Sequence, residues 1–430
     1  MSNKKAHGLH VFTSVISAIL CITLTFGIFV NSNLIIGVFA LDNAEQITDA
    51  TTLDNFDYTI DAEDGTVTLT KYKGTATNVK VSPAYTVDGV VYHTVLDSTS
   101  VFKGNAKIVT VKLYPGVKFA NNTTGYLFNA CGALKSVDMA GADTTGVTNM
   151  EYMFESSSLL TTVDVTGIDT SEVTRMYALF KKCGGLTDII GYENWDTSSL
   201  ENMFWMFSEA SKLKIIDLSR WNLSNVNNSA WCFQHSGAEQ ILLPDNLKTI
   251  SAGFLNHASS VVGSTFTIPA GVEKIGYAHT IYDFATNEFV EFIVPKENKN
   301  YVAVDGILYS ADMKELLAIP RGKTFPNDTF YVPEGVEFMA ELSFSRNFNM
   351  KTLVLPNTYE IVTFVPAHDP RYIIYEDIGN LNASNSLAIA LYDKMGVVNY
   401  AVKSDNPRYS AHDGIIYSKD MKTLISIPTL

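Results

Sequence analysis

The stretch Asp143-Thr144-Thr145-Gly146-Val147-Thr148-Asn149-Met150-Glu151-Tyr152-Met153-Phe154, running on to Leu160-Thr161-Thr162-Val163-Asp164-Val165, decides the architecture. In its first half Val147, Met150, Met153 and Phe154 fall at i, i+3, i+6 and i+7, the spacing of one helical face. Asp143-Thr144 stands before them as helix-capping chemistry, as Asp169-Thr170 and Asp196-Thr197 do further along. The second half alternates apolar and polar residues, the mark of a short strand with one buried face. The unit reads as a short helical turn, a bend and a strand.

The same unit recurs on both sides. Phe stands at 102, 128, 154, 180, 207 and 233, in steps of 26, 26, 26, 27 and 26. Six residues after these come Ile108, Leu134, Leu160, Leu186 and Leu213. Nine after come Val111, Val137, Val163, Ile189, Ile216 and Leu242. A fixed period of this length means a solenoid, because one unit cannot bury its own apolar face and stacking on its neighbours does so. The stacked strands are expected to form one parallel sheet.

After about residue 245 the beat changes to apolar-Pro-x-x-apolar: Leu243-Pro244…Leu247, Ile268-Pro269…Val272, Val332-Pro333…Val336 and Leu355-Pro356…Tyr359. Tyr301–Pro320 and Tyr409–Pro428 are near copies, identical at 13 of 20 positions. Each reads as two strands joined by a polar turn at Ser-x-Asp-Met-Lys. Near the start, Tyr58 to Tyr72 around Asp64-Gly65 and Thr86 to Val95 around Asp88-Gly89 read as hairpins that would cap the first unit.

Lys4 and Lys5 are followed by Val11 to Val30 without a charge, and then by Gly37-Val38-Phe39-Ala40. This order fits a secretory signal cut after Ala40. The rival reading is an uncleaved membrane anchor, since the apolar run is long enough to span. Leu20 before Cys21 argues against a lipobox. Export would leave Cys131, Cys183 and Cys232, an odd set for a disulfide framework. Cys131 and Cys183 share one column with Asn105, Ser157, Ala210 and Ser236. At about 4.8 Å per strand, two units separate them by about 10 Å, beyond the roughly 7 Å reach of a disulfide. Three free thiols are expected.

The whole chain carries a net charge of -14, with 46% hydrophobic and 18% charged residues. That is too apolar for disorder and too acidic for a nucleic-acid partner.

The units beginning at Asp143 and Asp169, the Pro-marked units and the Val304-Asp305-Gly306-Ile307-Leu308-Tyr309-Ser310 element resemble the two repeat types of BspA-like leucine-rich repeat surface proteins. The resemblance covers about residues 56–430. It implies a β-rich α/β solenoid: a leucine-rich repeat array with a parallel sheet, short helical turns, an N-terminal β cap and hairpin insertions. Residues 1–40 are then the signal peptide, 41–115 the cap and first repeat, 116–245 the 26-residue repeats, and 246–430 the second-type repeats with hairpins. The resemblance also implies a secreted or surface-displayed protein used in adhesion. Many members carry a C-terminal anchor, whereas Pro428-Thr429-Leu430 shows no sorting motif, apolar span or basic tail. A released protein or a fragment is expected.

No catalytic or metal-binding motif is found, and no residues are assigned to a cofactor. Two columns are candidates for binding. Asp138, Asp164 and Asp217 share an outward strand position, with Asp188 two residues earlier in its own unit. They read as a face for a basic partner or a cation, or as a solvated face that discourages aggregation. Tyr126, Tyr152, Ala178, Trp205 and Trp231 stand two residues before Phe128, Phe154, Phe180, Phe207 and Phe233. They read as a stacking ladder for a glycan or extended peptide, or as packing between turns. The expected function is non-enzymatic: binding or adhesion to an extracellular protein or glycan, including basic or host-matrix ligands, with a membrane involved only through an uncleaved signal. The alternatives are a parallel β-solenoid enzyme acting on extracellular polysaccharide and a structural spacer of a longer surface protein.

Overall fold

A computed structural model describes residues 49–258, 265–276, 289–340, 347–358 and 399–426, with Ile47, Phe284 and Ser343. The expected signal and Cys21 lie outside the described residues, as do Tyr359 and Ile427-Pro428. Among the described residues no helix is long and apolar enough to cross a membrane.

The chain opens with a β cap. Strands β1 (Phe56–Asp61) and β2 (Thr66–Tyr72) form the first expected hairpin. After β3 (Asn78–Val81), β4 (Ala84–Val87) and β5 (Val90–Leu96) form the second. Strand β2 runs parallel to β5, which joins the two hairpins into one sheet. The solenoid then supplies β6 (Thr110–Leu113), β7 (Lys118–Phe119), β8 (Ser136–Asp138), β9 (Thr162–Asp164), β10 (Asp188–Ile190), β11 (Ile215–Asp217) and β12 (Gln240–Leu242). Strands β3, β6, β8, β9 and β10 are one parallel sheet, while β11 and β12 pair separately. The expected single sheet is therefore interrupted between β10 and β11.

The short helical turns are not helices. The segment 150–157 donates alternate N–H groups to the next coil: Met150 to Arg175, Tyr152 to Tyr177, Phe154 to Leu179 and Ser156 to Lys181, at 2.9–3.0 Å. Locally it is a run of β-turns, such as Ser157 N–H to the Phe154 carbonyl. Left-handed residues recur on both sides of each Phe from Phe128 to Phe233, for example Tyr152 (φ 58°) and Ser156 (φ 63°). Three-residue turns reproduce the apolar spacing of a helix, but the N–H groups go between coils instead of back along the chain. Asp143, Asp169 and Asp196 accept the N–H of Thr145, Ser171 and Ser198, so they hold Asx turns where helix caps were expected.

The core is built of columns. Phe102, Phe128, Phe154, Phe180, Phe207 and Phe233 are buried and stack ring on ring at 5.3–5.8 Å. The buried hydroxyls of Thr144, Thr170 and Thr197 donate to the carbonyls of Asp169, Asp196 and Asn222 one coil on. Such ladders pair the buried polar groups that the turns would otherwise strand.

One register differs from expectation. Ile216 pairs with Ile241, and Leu242 lies opposite Asp217, so Leu242 faces outward. The last unit is one residue shorter at Gly237, whose backbone passes so close to Ser211 that a Cβ would fall 1.8 Å from its carbonyl oxygen. A one-residue slip turns each strand side chain to the opposite face.

The later region continues with β13 (Thr249–Ile250), β14 (Thr265–Thr267), β15 (Lys274–Ile275) and β16 (Glu291–Ile293), paired in parallel as β13 with β15 and β14 with β16. The first copied element is a three-stranded meander instead of the expected two strands: β17 (Tyr301–Val304), β18 (Ile307–Ser310) and β19 (Glu315–Ala318). Asp305-Gly306 makes the extra turn, with both residues left-handed. Next come β20 (Thr329–Tyr331), β21 (Phe338–Met339), β22 (Thr352–Leu355) and β23 (Asn399–Val402), with β19 parallel to β21 and β20, β22 and β23 in a second parallel sheet. The second copy repeats the meander as β24 (Tyr409–His412), β25 (Ile415–Ser418) and β26 (Leu424–Ser426). Buried Asn298, Asn347 and Asn406 donate to the carbonyls of Pro269, Pro320 and Pro356, which gives three of the prolines a buried partner in a later unit.

Candidate functional site

The two candidate columns lie on different sides of the coil. On the strand side, register places Lys112, Asp138, Asp164 and Ile190 in one row. Three of the acids are engaged by their own backbone. Asp138, Asp164 and Asp217 accept the N–H of Ala140, Thr166 and Ser219 at 2.9–3.1 Å, closing the bend after each strand. Asp138 also pairs with Lys112 at 2.8 Å. Ser219 holds the Asp217 carboxyl below the usual carboxylate range by hydrogen bonding to its charged form. Asp188 accepts the Thr187 hydroxyl at 2.7 Å. The column is thus partly a set of turn caps, and it is acidic only over part of the array.

Exposed apolar residues also occupy outward strand positions. Ile190, Ile215 and Tyr331 are 48%, 57% and 66% exposed, and Leu242 and Ile293 are exposed as well. All five lie in the short solenoid strands. The inward residues between them, Ile189, Ile216, Phe292 and Phe330, are buried. Spacing alone did not single out these outward positions.

The interruption between β10 and β11 has a local cause. The unit starting at Phe180 carries the one 27-residue step, and the extra length falls in the bend after β10. Gly191 is left-handed at φ 90°, and a Cβ there would sit 2.7 Å from the Thr166 Cα. The turn Tyr192–Asn194 follows, and the Tyr192 hydroxyl oxygen accepts the Asp217 N–H at 2.9 Å. The Tyr192 carbonyl accepts the Trp221 indole N–H at 3.0 Å, which fixes the bend against the core. A cleft of about 410 Å³ opens here, with Ile189, Tyr192 and Leu213 among the residues that line it.

On the turn side the aromatic column is assembled, and the structure adds two members. Tyr126 stacks on Tyr152 at 4.9 Å, Tyr152 meets Tyr177 at 4.9 Å, and Tyr177 stacks on Phe204 at 5.2 Å. Trp205 meets Phe204 edge-on at 4.5 Å. Tyr177 fills the place left by Ala178, one residue out of column, which is why spacing missed it. Lys103 lies over Tyr126 at 4.2 Å and Lys181 over Trp205 at 3.2 Å. Trp231 packs against Gly253, where a Cβ would fall 2.3 Å from its ring. Burial pushes the Tyr152 hydroxyl up to about 12 and lowers Lys181. The ring faces are taken up by neighbouring rings, lysines and backbone. These ring contacts tie coil to coil.

Among the described residues Cys131, Cys183 and Cys232 are buried and free. Cys131 Sγ lies 3.1 Å from the Phe102 carbonyl and Cys183 Sγ 3.0 Å from that of Phe154. Ser157 donates to the Phe128 carbonyl at 2.7 Å in the same column. Cys and Ser are interchangeable there as small donors to the preceding Phe. Among the described residues no cluster of His, Cys, Asp and Glu could hold a metal ion.

Comparison with known proteins adds three kinds of finding. Residues 123–243 match a family described as "Mycoplasma protein of unknown function, DUF285". No curated protein matches the sequence. Among solved structures, the chain is similar to a leucine-rich cell surface protein from Faecalibacterium prausnitzii A2-165, at 16% identity over 72% of this chain and 71% of that one, with a TM-score of 0.43. It is also similar to a leucine-rich repeat protein from Bacteroides ovatus ATCC 8483, at 14% identity over 71% of each chain, with a TM-score of 0.40. A leucine-rich repeat protein from Eubacterium ventriosum ATCC 27560 matches at 18% identity over 69% of this chain and 57% of that one, with a TM-score of 0.28. The chain is a leucine-rich repeat solenoid similar to BspA-like proteins, and the detail of its coils rests on the ladders described above.

Proposed function

We propose that this protein is a secreted or surface-displayed binding module that engages an extracellular macromolecule through its strand face and carries out no chemistry. The observation that carries this reading is the recurrence of exposed apolar side chains at outward positions of the solenoid strands: Ile190 in register with Asp164, Leu242 opposite Asp217, and Ile215, Ile293 and Tyr331 in their own strands. Exposed apolar groups gathered on one surface mark interaction sites, whereas scattered ones do not. A solenoid suits the role because stacking repeats extends one surface from many weak contributors. Asp138, Asp164, Asp188 and Asp217 would add long-range attraction for a basic ligand. The mixed character of the face fits a protein or a charged glycan as partner. The surface-protein description of the Faecalibacterium relative agrees with display outside the cell.

The test is binding of the purified chain to immobilised matrix proteins and glycans, with Ile190→Lys, Leu242→Lys and Tyr331→Lys combined. Leu159→Lys is the control, because Leu159 is exposed in a turn and not in a strand. The strand variant should lose binding and the control should keep it. Equal binding by both would refute the assignment of the strand face.

A further inference from the structure

We infer that the cleft between β10 and β11 accepts an extended polypeptide segment of a partner, which enters as an added parallel strand. This inference rests on the strand-face reading and names its partner chemistry.

The argument begins with a broken ladder. At the start of each strand one N–H reaches back to the coil before: Lys135 to Val109, Thr161 to Lys135, Thr187 to Thr161 and Glu239 to Lys214, at 2.8–2.9 Å. Among the described residues no such bond runs from Lys214 to Thr187, and no strand pairing joins β10 to β11. At the strand ends, Met139 reaches Asp164, Val165 reaches Ile190 and Leu218 reaches Leu242. Among the described residues the equivalent bond, from the Gly191 N–H to the Asp217 carbonyl, is missing, and the Asp217 N–H, which by the alternation of the ladder would also pair with β10, goes to the Tyr192 hydroxyl. The walls therefore offer the Thr187 carbonyl, the N–H groups of Lys214 and Ile215, and, by the alternation of the ladder, the peptide groups of Ile189. Open groups on two facing strands are what an added strand pairs with.

The side chains fit such an occupant. Ile189, Leu213 and Tyr192 offer an apolar floor, and Ile190 and Ile215 form exposed rims. A strand alternates its side chains, so one apolar residue would point to the floor while its neighbours face solvent. The cleft volume of about 410 Å³ lies within the range of ligand sites. Charge sets the rest. Lys212 and Asp188 face the cleft and have no ion partner among the described residues, whereas Lys214 pairs with Glu239 at 2.9 Å. By repeat position Lys212 precedes Ile215, which corresponds to Asp188 eight residues after its Phe. A parallel occupant would carry an acid beside Lys212 and a base about three residues later beside Asp188.

The probe is the blocked peptide Glu-Leu-Thr-Lys-Val-Thr-Val, with a control methylated on alternate backbone nitrogens. The readout is amide hydrogen exchange of the whole chain. In the free protein Lys214 and Ile215 should exchange quickly, and the probe should slow them by about tenfold or more. The methylated control keeps most side chains but cannot complete the ladder, so it should give no protection. Slow exchange of Lys214 and Ile215 in the free protein would overturn the proposal, because the sheet would then be closed. Equal protection by both peptides would overturn it too, since side chains alone would account for binding. Protection that rises with protein concentration in the absence of peptide would show a second copy as the occupant. Macromolecule binding that survives a negative peptide result would leave the strand-face function standing.

Discussion

Replacing Phe180 with Leu tests whether the ring column couples the coils. Phe180 is fully buried and stacks on Phe154 at 5.3 Å and on Phe207 at 5.8 Å, with interplanar angles of 6° and 17°. Leu keeps most of the apolar burial and loses both stacking contacts. Aromatic pairs contribute about 0.5–1.5 kcal/mol each beyond their buried area, so the two together give about 1–3 kcal/mol. The change of shape adds up to about 1.5 kcal/mol. The expected destabilisation is about 1–4.5 kcal/mol, read by urea unfolding with the m-value checked for two-state behaviour. The effect should also spread. Phe154 donates to Leu179, Phe180 to Met206 and Phe207 to Cys232, so exchange protection should fall at all three amides. A loss under about 0.5 kcal/mol, or protection lost in one coil alone, would mean that the stacks are incidental and the backbone ladder alone couples the coils.

Further outcomes follow from single contacts. Burial pushes the Cys131 thiol up to about 11 and raises Cys183 and Cys232 as well, whereas an unfolded thiol ionises near 8.5. The unfolded state therefore sheds these protons first, so stability should fall as pH rises from about 8.5 toward 11, and less steeply in Cys131→Ser. The three thiols should resist a thiol reagent in the folded protein and react together after denaturation. Asp164→Ala should cost about 1 kcal/mol by removing the acceptor for the Thr166 N–H, while Asp164→Asn, which keeps a carbonyl there, should cost little by thermal melting. Lys182 is exposed and left-handed at φ 60°, so Lys182→Gly should hold or raise the melting temperature; a fall of several degrees would count against strain at that position.

The repeat period, the inward columns and both cap hairpins were legible in the sequence because each depends on which residues must leave water, and that requirement recurs at fixed spacing. The free cysteines could be derived from spacing for the same reason. The helical turns were misread because tandem β-turns and a helix place apolar residues alike. Only the direction of the N–H groups separates them, and side-chain pattern does not encode it. Leu242 was set on the wrong face because a one-residue shortening at Gly237 depends on backbone passing backbone. Tyr177 and Phe204 joined the aromatic ladder from an adjacent column, reaching across coils in a way that no linear spacing shows. The cleft was decided by tertiary structure alone: one extra residue after β10 becomes an open site only because Gly191 lets the bend cross Thr166 and because Tyr192 then takes the N–H that would have closed the sheet.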